Sequence, residues 1–284
     1  MNPYLKLMRP EQWYKNCLVF LALVFSVNFF NTGLFVKTML GFASLSLVSS
    51  SYYILNDLKD IALDKAHPEK KHRPLAAGRV TKQGAVALSG TLLITGLCLA
   101  QSLSIPFFLF ATALFTLSAL YSLYLKHVAI VDIHIVAINF LIRAVSGAVL
   151  IEAPISPWLI FSMFFVALFL AAGKRMSDRV ALGSDAKKSK VYSVYTEDFL
   201  RGILYVSGAT VIVAYSLYAF LAYPEGYMMA SIPVVSFMCF RFLHFAVIGN
   251  IAARQAHRLF FDKQLFFAFI LWALISFAVL YAQA

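Results

Sequence analysis

Residues 36–64 read VKTMLGFASLSLVSSSYYILNDLKDIALD: an apolar run whose one charge is Lys37 passes without a break into a stretch carrying Asn56, Asp57, Asp60 and Asp64. The apolar part has the roughly 20 residues that a helix needs to cross a hydrocarbon core. At about 100° per residue, with Asn56 at zero, Asp60 falls near 40°, Asp64 near 80° and Asp57 near 100°, so a continued helix puts all four in one quadrant. Carboxylates crowded on one face repel, and desolvation at a membrane boundary adds to the cost. A cation is therefore expected among them. Oxygen donors without His or Cys favour Mg²⁺ over zinc, and Mg²⁺ usually completes its shell with waters and substrate phosphates. The plainer reading is a solvated helix end whose acids pair with Lys59, Lys65, Lys70 and Lys71.

The rest of the chain has the same solvent. Its 284 residues are 61% hydrophobic, with a mean hydropathy of +0.80, well above the apolar share of soluble domains. Nine spans of suitable length are predicted, near 17–31, 36–55, 84–102, 105–125, 130–151, 155–173, 199–222, 227–248 and 264–283. Lys6, Arg9 and Lys15 precede the first, but no small-residue cleavage site follows it, so it reads as a retained, tilted helix rather than a signal peptide. The fold class expected is all-α: one polytopic integral membrane domain over residues 1–284. Its motif loops fall at about 56–83 and 174–198.

Among the connections that follow odd-numbered spans, those between spans 1 and 2, 3 and 4, 5 and 6, and 7 and 8, only Lys37 is basic. Nearly all other Lys and Arg lie at the N-terminus and in the remaining connections. That bias puts the N-terminus in the cytoplasm and the C-terminus outside, and a bacterial inner (plasma) membrane is the expected location. The net charge of +11 thus describes one face, suited to anionic headgroups or phosphorylated substrates. No soluble region remains to build a nucleic-acid surface. Cys17, Cys98 and Cys239 fall inside spans without metal-ligand spacing.

The pattern Asn-Asp-x-x-Asp-x-x-x-Asp after the second span, followed by Arg73-Pro74-Leu75-x-x-Gly78, resembles the first aspartate-rich motif of the UbiA-type prenyltransferase superfamily. The resemblance covers essentially the whole chain and implies a nine-helix bundle around a central cavity. It also implies Mg²⁺ held by Asn56, Asp57, Asp60 and Asp64, the three aspartates being catalytic. Members that prenylate aromatic rings typically carry a second motif, Asp-x-x-x-Asp, after span 6. Here Lys174 stands where its first acid would be and Asp178 keeps the last, one helical turn away.

Arg9-Pro10-x-Gln12-Trp13-x-Lys15-Asn16, Gly173-Lys174-Arg175 and Tyr195-Thr196-x-x-Phe199-Leu200 resemble the polyprenyl-phosphate (decaprenyl-phosphate) phosphoribosyltransferase branch. That likeness implies 5-phosphoribosyl diphosphate as donor and a membrane polyprenyl phosphate as acceptor. Gln12, Lys15, Arg73, Lys126, Lys174 and Arg175 are the candidate phosphate-binding residues. Both chemistries begin when a metal stabilises a departing diphosphate, so the aspartates could serve either, and the extra bases would recognise extra phosphate. Prenyl transfer to an aromatic or quinone-precursor acceptor is the alternative. An ion-coupled transporter fits less well, because the acids sit at a helix end rather than at mid-membrane. Self-association into a homo-oligomer is compatible with the sequence.

Two arginines lie at membrane depth. Arg143 is about 13 residues into its span, roughly 20 Å from the start at 1.5 Å per residue, and Arg241 shares a face with His244. An arginine so placed needs a partner or a wet cavity. Both are candidate cavity supports, Arg143 facing a lipid phosphate or tied internally. Asp132 and His134 are candidates for a supporting role around the site.

Overall fold

The computed structural model describes residues 2–66, 70–154, 156–183, 190–223 and 225–282. Among the described residues, eight helices are long and apolar enough to cross a membrane: α1 (Thr32–Lys59), α2 (Lys82–Leu103), α3 (Ile105–Leu123), α4 (Val131–Ile151), α5 (Pro157–Leu182), α6 (Glu197–Leu221), α7 (Tyr227–Val247) and α8 (Lys263–Ala282). Their starts follow local chemistry. Asn31, Thr81, Ser104 and Thr196 cap α1, α2, α3 and α6, each side chain accepting from the backbone N–H three residues on, which satisfies donors that a helix start leaves orphaned.

The remaining candidate, 17–31, is helical in another form. Pro10–Phe20 is a 3₁₀ helix and Leu21–Phe25 a short α-helix. Val27 then turns the chain at φ 60°, and Asn28 Nδ2 donates to the Ser26 carbonyl at 3.0 Å. That local bond ends the helix before it reaches the length of the others.

The chain divides into two compact units. Unit 1 comprises Met1–Lys126 and Ile142–Pro154, and unit 2 His127–Leu141 and Ile155–Ala284. In unit 1 α1 packs on α2 through small polar residues: Ser44 Oγ donates to Gly96 O at 2.8 Å, and Ser51 and Ser89 bond to each other and to each other's carbonyls. Small residues and interhelical hydrogen bonds drive association where lipid removes the hydrophobic incentive. The N-terminal segment docks on α1 in the same way, with Trp13 Nε1 donating to Ser50 Oγ, Ser50 Oγ to Met8 O, and Asn16 Nδ2 to Ser46 Oγ. Leu7, Ile54, Leu75, Val80, Ala85 and Leu92 form an apolar cluster beneath the segment that follows α1. In unit 2 α5 and α6 pack along their lengths, and α7 lies against both.

Two glycines permit close approaches. A Cβ on Gly147 would lie 2.0 Å from the Val19 carbonyl oxygen, and one on Gly173 2.4 Å from the Phe242 ring. Gly147→Ala should destabilise the protein by about 1–3 kcal/mol through overpacking against backbone that cannot rotate away. Thermal unfolding in detergent would register this as a lowered Tm, and an unchanged Tm would contradict the close approach.

Candidate active site

The helix does not continue through the acidic stretch. α1 ends at Lys59, Asp60 takes φ −92° and ψ 10°, and a short helix restarts at Ile61–Ala66. The break follows from two lysines. Lys59 Nζ donates to the Ser122 and Leu123 carbonyls at the end of α3, neutralising that negative helix end. Lys126 Nζ, just beyond, takes both Asp60 oxygens at 2.8 and 2.7 Å. Asp60 is thereby drawn to Lys126, while Asp57 and Asp64 converge elsewhere, so the single quadrant expected for a continuous helix is not kept.

Asp57 and Asp64 are buried and share one cation. Arg73 Nη1 lies 3.0 Å from Asp57 Oδ1 and 2.8 Å from Asp64 Oδ2. Arg9 Nη2 makes a further short contact with Asp57 Oδ1. Arg9 opens the 3₁₀ helix at φ 53°, a region that non-glycine residues seldom occupy, and its guanidinium also lies 5.2 Å from the Tyr53 ring. Sequence spacing placed Arg9 in a motif without giving it a site role. What makes it a partner of Asp57 is the docking of the N-terminal segment, a long-range contact.

Among the described residues, no group of three or more His, Cys, Asp or Glu is placed to hold a metal. The donor chemistry nevertheless fits a hard divalent cation. Asp57 and Asp64 already focus oxygens on one positive point, Arg73 Nη1, and no softer ligand intrudes. Asn56 is half-buried on the last turn of α1, where its carbonyl accepts from Asp60 N at 3.0 Å.

Deeper along α1, Arg143 is buried and donates from Nε to Asn16 Oδ1 at 2.8 Å and from Nη2 to Tyr52 OH at 2.7 Å. Internal ties thus hold it in place. Lys15 Nζ lies 5.9 Å from the Tyr14 ring centroid and 6.0 Å from that of Tyr53. Burial, reinforced by the neighbouring charges of Arg143 and Arg9, pushes its ammonium down to about 8. Gln12 stands half-buried on the same 3₁₀ helix.

Unit 2 holds a second polar cluster. Asp132 is fully buried and receives Arg175 Nε at 2.8 Å, Arg175 Nη2 at 2.7 Å and Tyr195 OH at 2.5 Å. Tyr195 OH in turn accepts from Ile130 N at 2.7 Å. Ile130 has φ 72°, strained for a β-branched residue. Arg175 Nη1 reaches Tyr192 OH at 3.3 Å, which itself donates to Asp178 Oδ2 at 3.1 Å, and Arg254 Nε meets Asp178 Oδ1 at 2.9 Å. Burial raises both phenols, Tyr192 to about 12, so they remain donors at neutral pH.

The arginine expected to bind phosphate is thus engaged with a buried acid, because Asp132 would otherwise be an unpaired interior charge. Lys174 is exposed on α5. Arg241 is tied to Asp262 at 2.8 Å, a pairing within the unit that answers the need of a charge at membrane depth. Residues 184–189, within the expected 174–198 loop, and 67–69, within 56–83, lie outside the described residues. Tyr192 and Tyr195 were missed as partners of these charges, since no local periodicity links them to residue 132 or 175.

Two stability measurements follow. Asp132→Asn leaves Arg175 without its counter-ion and should cost about 3 kcal/mol, the lower end for a broken buried pair because Arg175 retains some exposure; unchanged unfolding would refute the pairing. Lys15 has a folded-state pKa below its unfolded value, so its charge opposes folding fully below pH 8, and the penalty fades as pH rises from there towards 10.5. Lys15→Met should therefore exceed wild type in Tm most clearly at pH 7, with the gap closing by about pH 10. A gap independent of pH would contradict this.

A family model described as UbiA prenyltransferase family matches residues 17–270. The chain is 36% identical over 221 residues to a decaprenyl-phosphate phosphoribosyltransferase of Mycolicibacterium smegmatis, covering 76% of this chain and 70% of the relative. It is 34% identical over 220 residues to the Mycobacterium tuberculosis protein of the same name, covering 76% and 73%. In fold it is similar to a UbiA homolog from Archaeoglobus fulgidus bound to DMAPP and Mg²⁺, with a TM-score of 0.73, 19% identity and 98% of each chain covered.

Proposed function

Since the chain belongs to the UbiA prenyltransferase family and is an integral membrane protein, we propose that it transfers 5-phosphoribose from 5-phosphoribosyl diphosphate to a polyprenyl phosphate at the cytoplasmic membrane face. The observation that carries this reading is the asymmetry of its motifs. The first acidic motif is intact, whereas the second begins with the exposed base Lys174. The names of the relatives support the same donor and acceptor.

Asp57, Asp60 and Asp64, with Asn56, are the residues that would hold a divalent cation, Mg²⁺. When bound, the metal neutralises charge on the departing diphosphate. Arg9, Arg73 and Lys126, which pair with these carboxylates, would turn to phosphate oxygens of the donor. Gln12 and Lys15 contribute further phosphate contacts. Arg175 positions Tyr192 and the start of α4 through Asp132, and Arg143 holds the N-terminal segment against α1.

An acceptor phosphate oxygen bonds to ribose C1, the bond from C1 to the diphosphate oxygen breaks, and its electron pair leaves with diphosphate. The product is a polyprenylphosphoryl 5-phosphoribose. No strong general base is needed, because the attacking monoester is already anionic at neutral pH.

Membranes containing the protein, given labelled 5-phosphoribosyl diphosphate, Mg²⁺ and polyprenyl phosphate, should yield a labelled lipid. Transfer from a prenyl diphosphate to an aromatic acid, with none from the phosphoribosyl donor, would overturn the proposal in favour of aromatic prenylation. Asp57→Asn and Asp64→Asn should each lower turnover by at least about a hundredfold while the protein still purifies folded, as expected for loss of charge stabilisation of a leaving group. Full activity in both would remove the metal site.

A further inference from the structure

Arg9, Lys15 and Arg143 lie near one another in unit 1, around the paired rings of Tyr52 and Tyr53, whose centroids are 4.6 Å apart. Arg9 and Lys15 flank Tyr53 at 5.2 and 6.0 Å, and Arg143 donates to Tyr52. Arg9 is matched by Asp57. Among the described residues Lys15 has no ion-pair partner; the Tyr52 phenol favours its charge, while the like charges of Arg143 and Arg9 oppose it. Like charges gathered in a poorly solvated place call for an anion, just as the carboxylates call for a cation.

We propose that Lys15 and Arg143 form a seat for a phosphate monoester, the headgroup of the lipid acceptor. This assignment rests on the phosphoribosyl-transfer reading and adds the place where the nucleophile is held. Three observations favour it. The seat is preorganised: Asn16, which accepts from Arg143, is fixed by Ser46 and Ser49, so little order need be gained on binding. Its walls are the rings of Tyr14 and Tyr53 beside the ammonium, which suit a phosphate joined to hydrocarbon better than one joined to a sugar.

Its depth also fits. Tyr52 precedes Asp57 by five residues on α1, about 7.5 Å along the axis at 1.5 Å per residue. Reacting atoms approach to about 3–3.5 Å before bond formation, so two phosphates on opposite sides of one sugar carbon are spaced on this order. The leaving diphosphate at the aspartates and the attacking phosphate at Lys15 would then flank ribose C1.

The test is direct binding to the purified full chain in detergent by isothermal titration, with farnesyl phosphate as a short acceptor and with farnesol and ribose 5-phosphate as controls. Wild type should bind farnesyl phosphate better than farnesol. Lys15→Met should weaken farnesyl phosphate about tenfold or more, the effect of one charged hydrogen bond, without changing ribose 5-phosphate. Lys15→Arg should restore most of the affinity, and Arg143→Gln provides the same selective test if Lys15→Met does not purify folded. Loss confined to ribose 5-phosphate would assign the seat to the donor and overturn the proposal. No effect on either ligand, or no preference of wild type for farnesyl phosphate over farnesol, would overturn it as well. If Lys15-dependent farnesyl phosphate binding appears but no phosphoribose is transferred, the catalytic reading fails and the seat stands.

Discussion

Asp57 accepts from Arg9 and Arg73 at the last turn of α1, and this buried carboxylate joins three parts of unit 1. Arg9 brings the N-terminal segment, Arg73 the segment after α1, and through Arg73 comes Asp64 on the short helix beyond the break. A carboxylate removed from water is tolerable only with such partners. Its neutralisation therefore fixes where these segments lie. The serine contacts of Trp13 and Asn16 with α1 place Arg9 within reach, so the polar packing of the N-terminal segment and the electrostatics of Asp57 are one arrangement.

Unit 2 meets a similar problem around Asp132. An acid with no exposure is matched by the forked donors of Arg175 and by Tyr195, and Tyr195 also secures the strained backbone of Ile130. Strain of this kind persists only when its surroundings over-determine it. Arg175, Tyr192, Asp178 and Arg254 extend the cluster along α5, so the residues around the incomplete second motif are a connected hydrogen-bond network rather than scattered surface charges.

Much of this was legible in the sequence because helix period and lipid thickness are strong constraints. Of the nine apolar runs read as spans, eight are the long helices of the described residues, and the spacing of Asp57, Asp60 and Asp64 singled out the acidic stretch. Three features were not legible. The break at Asp60 depends on Lys59 and Lys126 reaching the end of α3 and the Asp60 carboxylate, which no local period encodes. The 3₁₀ form of the N-terminal segment is set by side-chain bonds to serines of α1, distant in sequence. Arg175 looked like a phosphate ligand because its neighbourhood is basic, whereas its geometry is decided by Asp132, which is buried only once the chain has folded.

The most direct measurement asks which bond of the donor breaks. 5-Phosphoribosyl diphosphate labelled with ³²P either in the 5-phosphate or in the diphosphate would be incubated with the purified protein, Mg²⁺ and polyprenyl phosphate, and the lipid phase counted. Cleavage between C1 and the diphosphate oxygen puts the 5-phosphate label in the lipid and leaves the diphosphate label in water. Diphosphate label in the lipid, or no lipid label from either donor, would contradict the account.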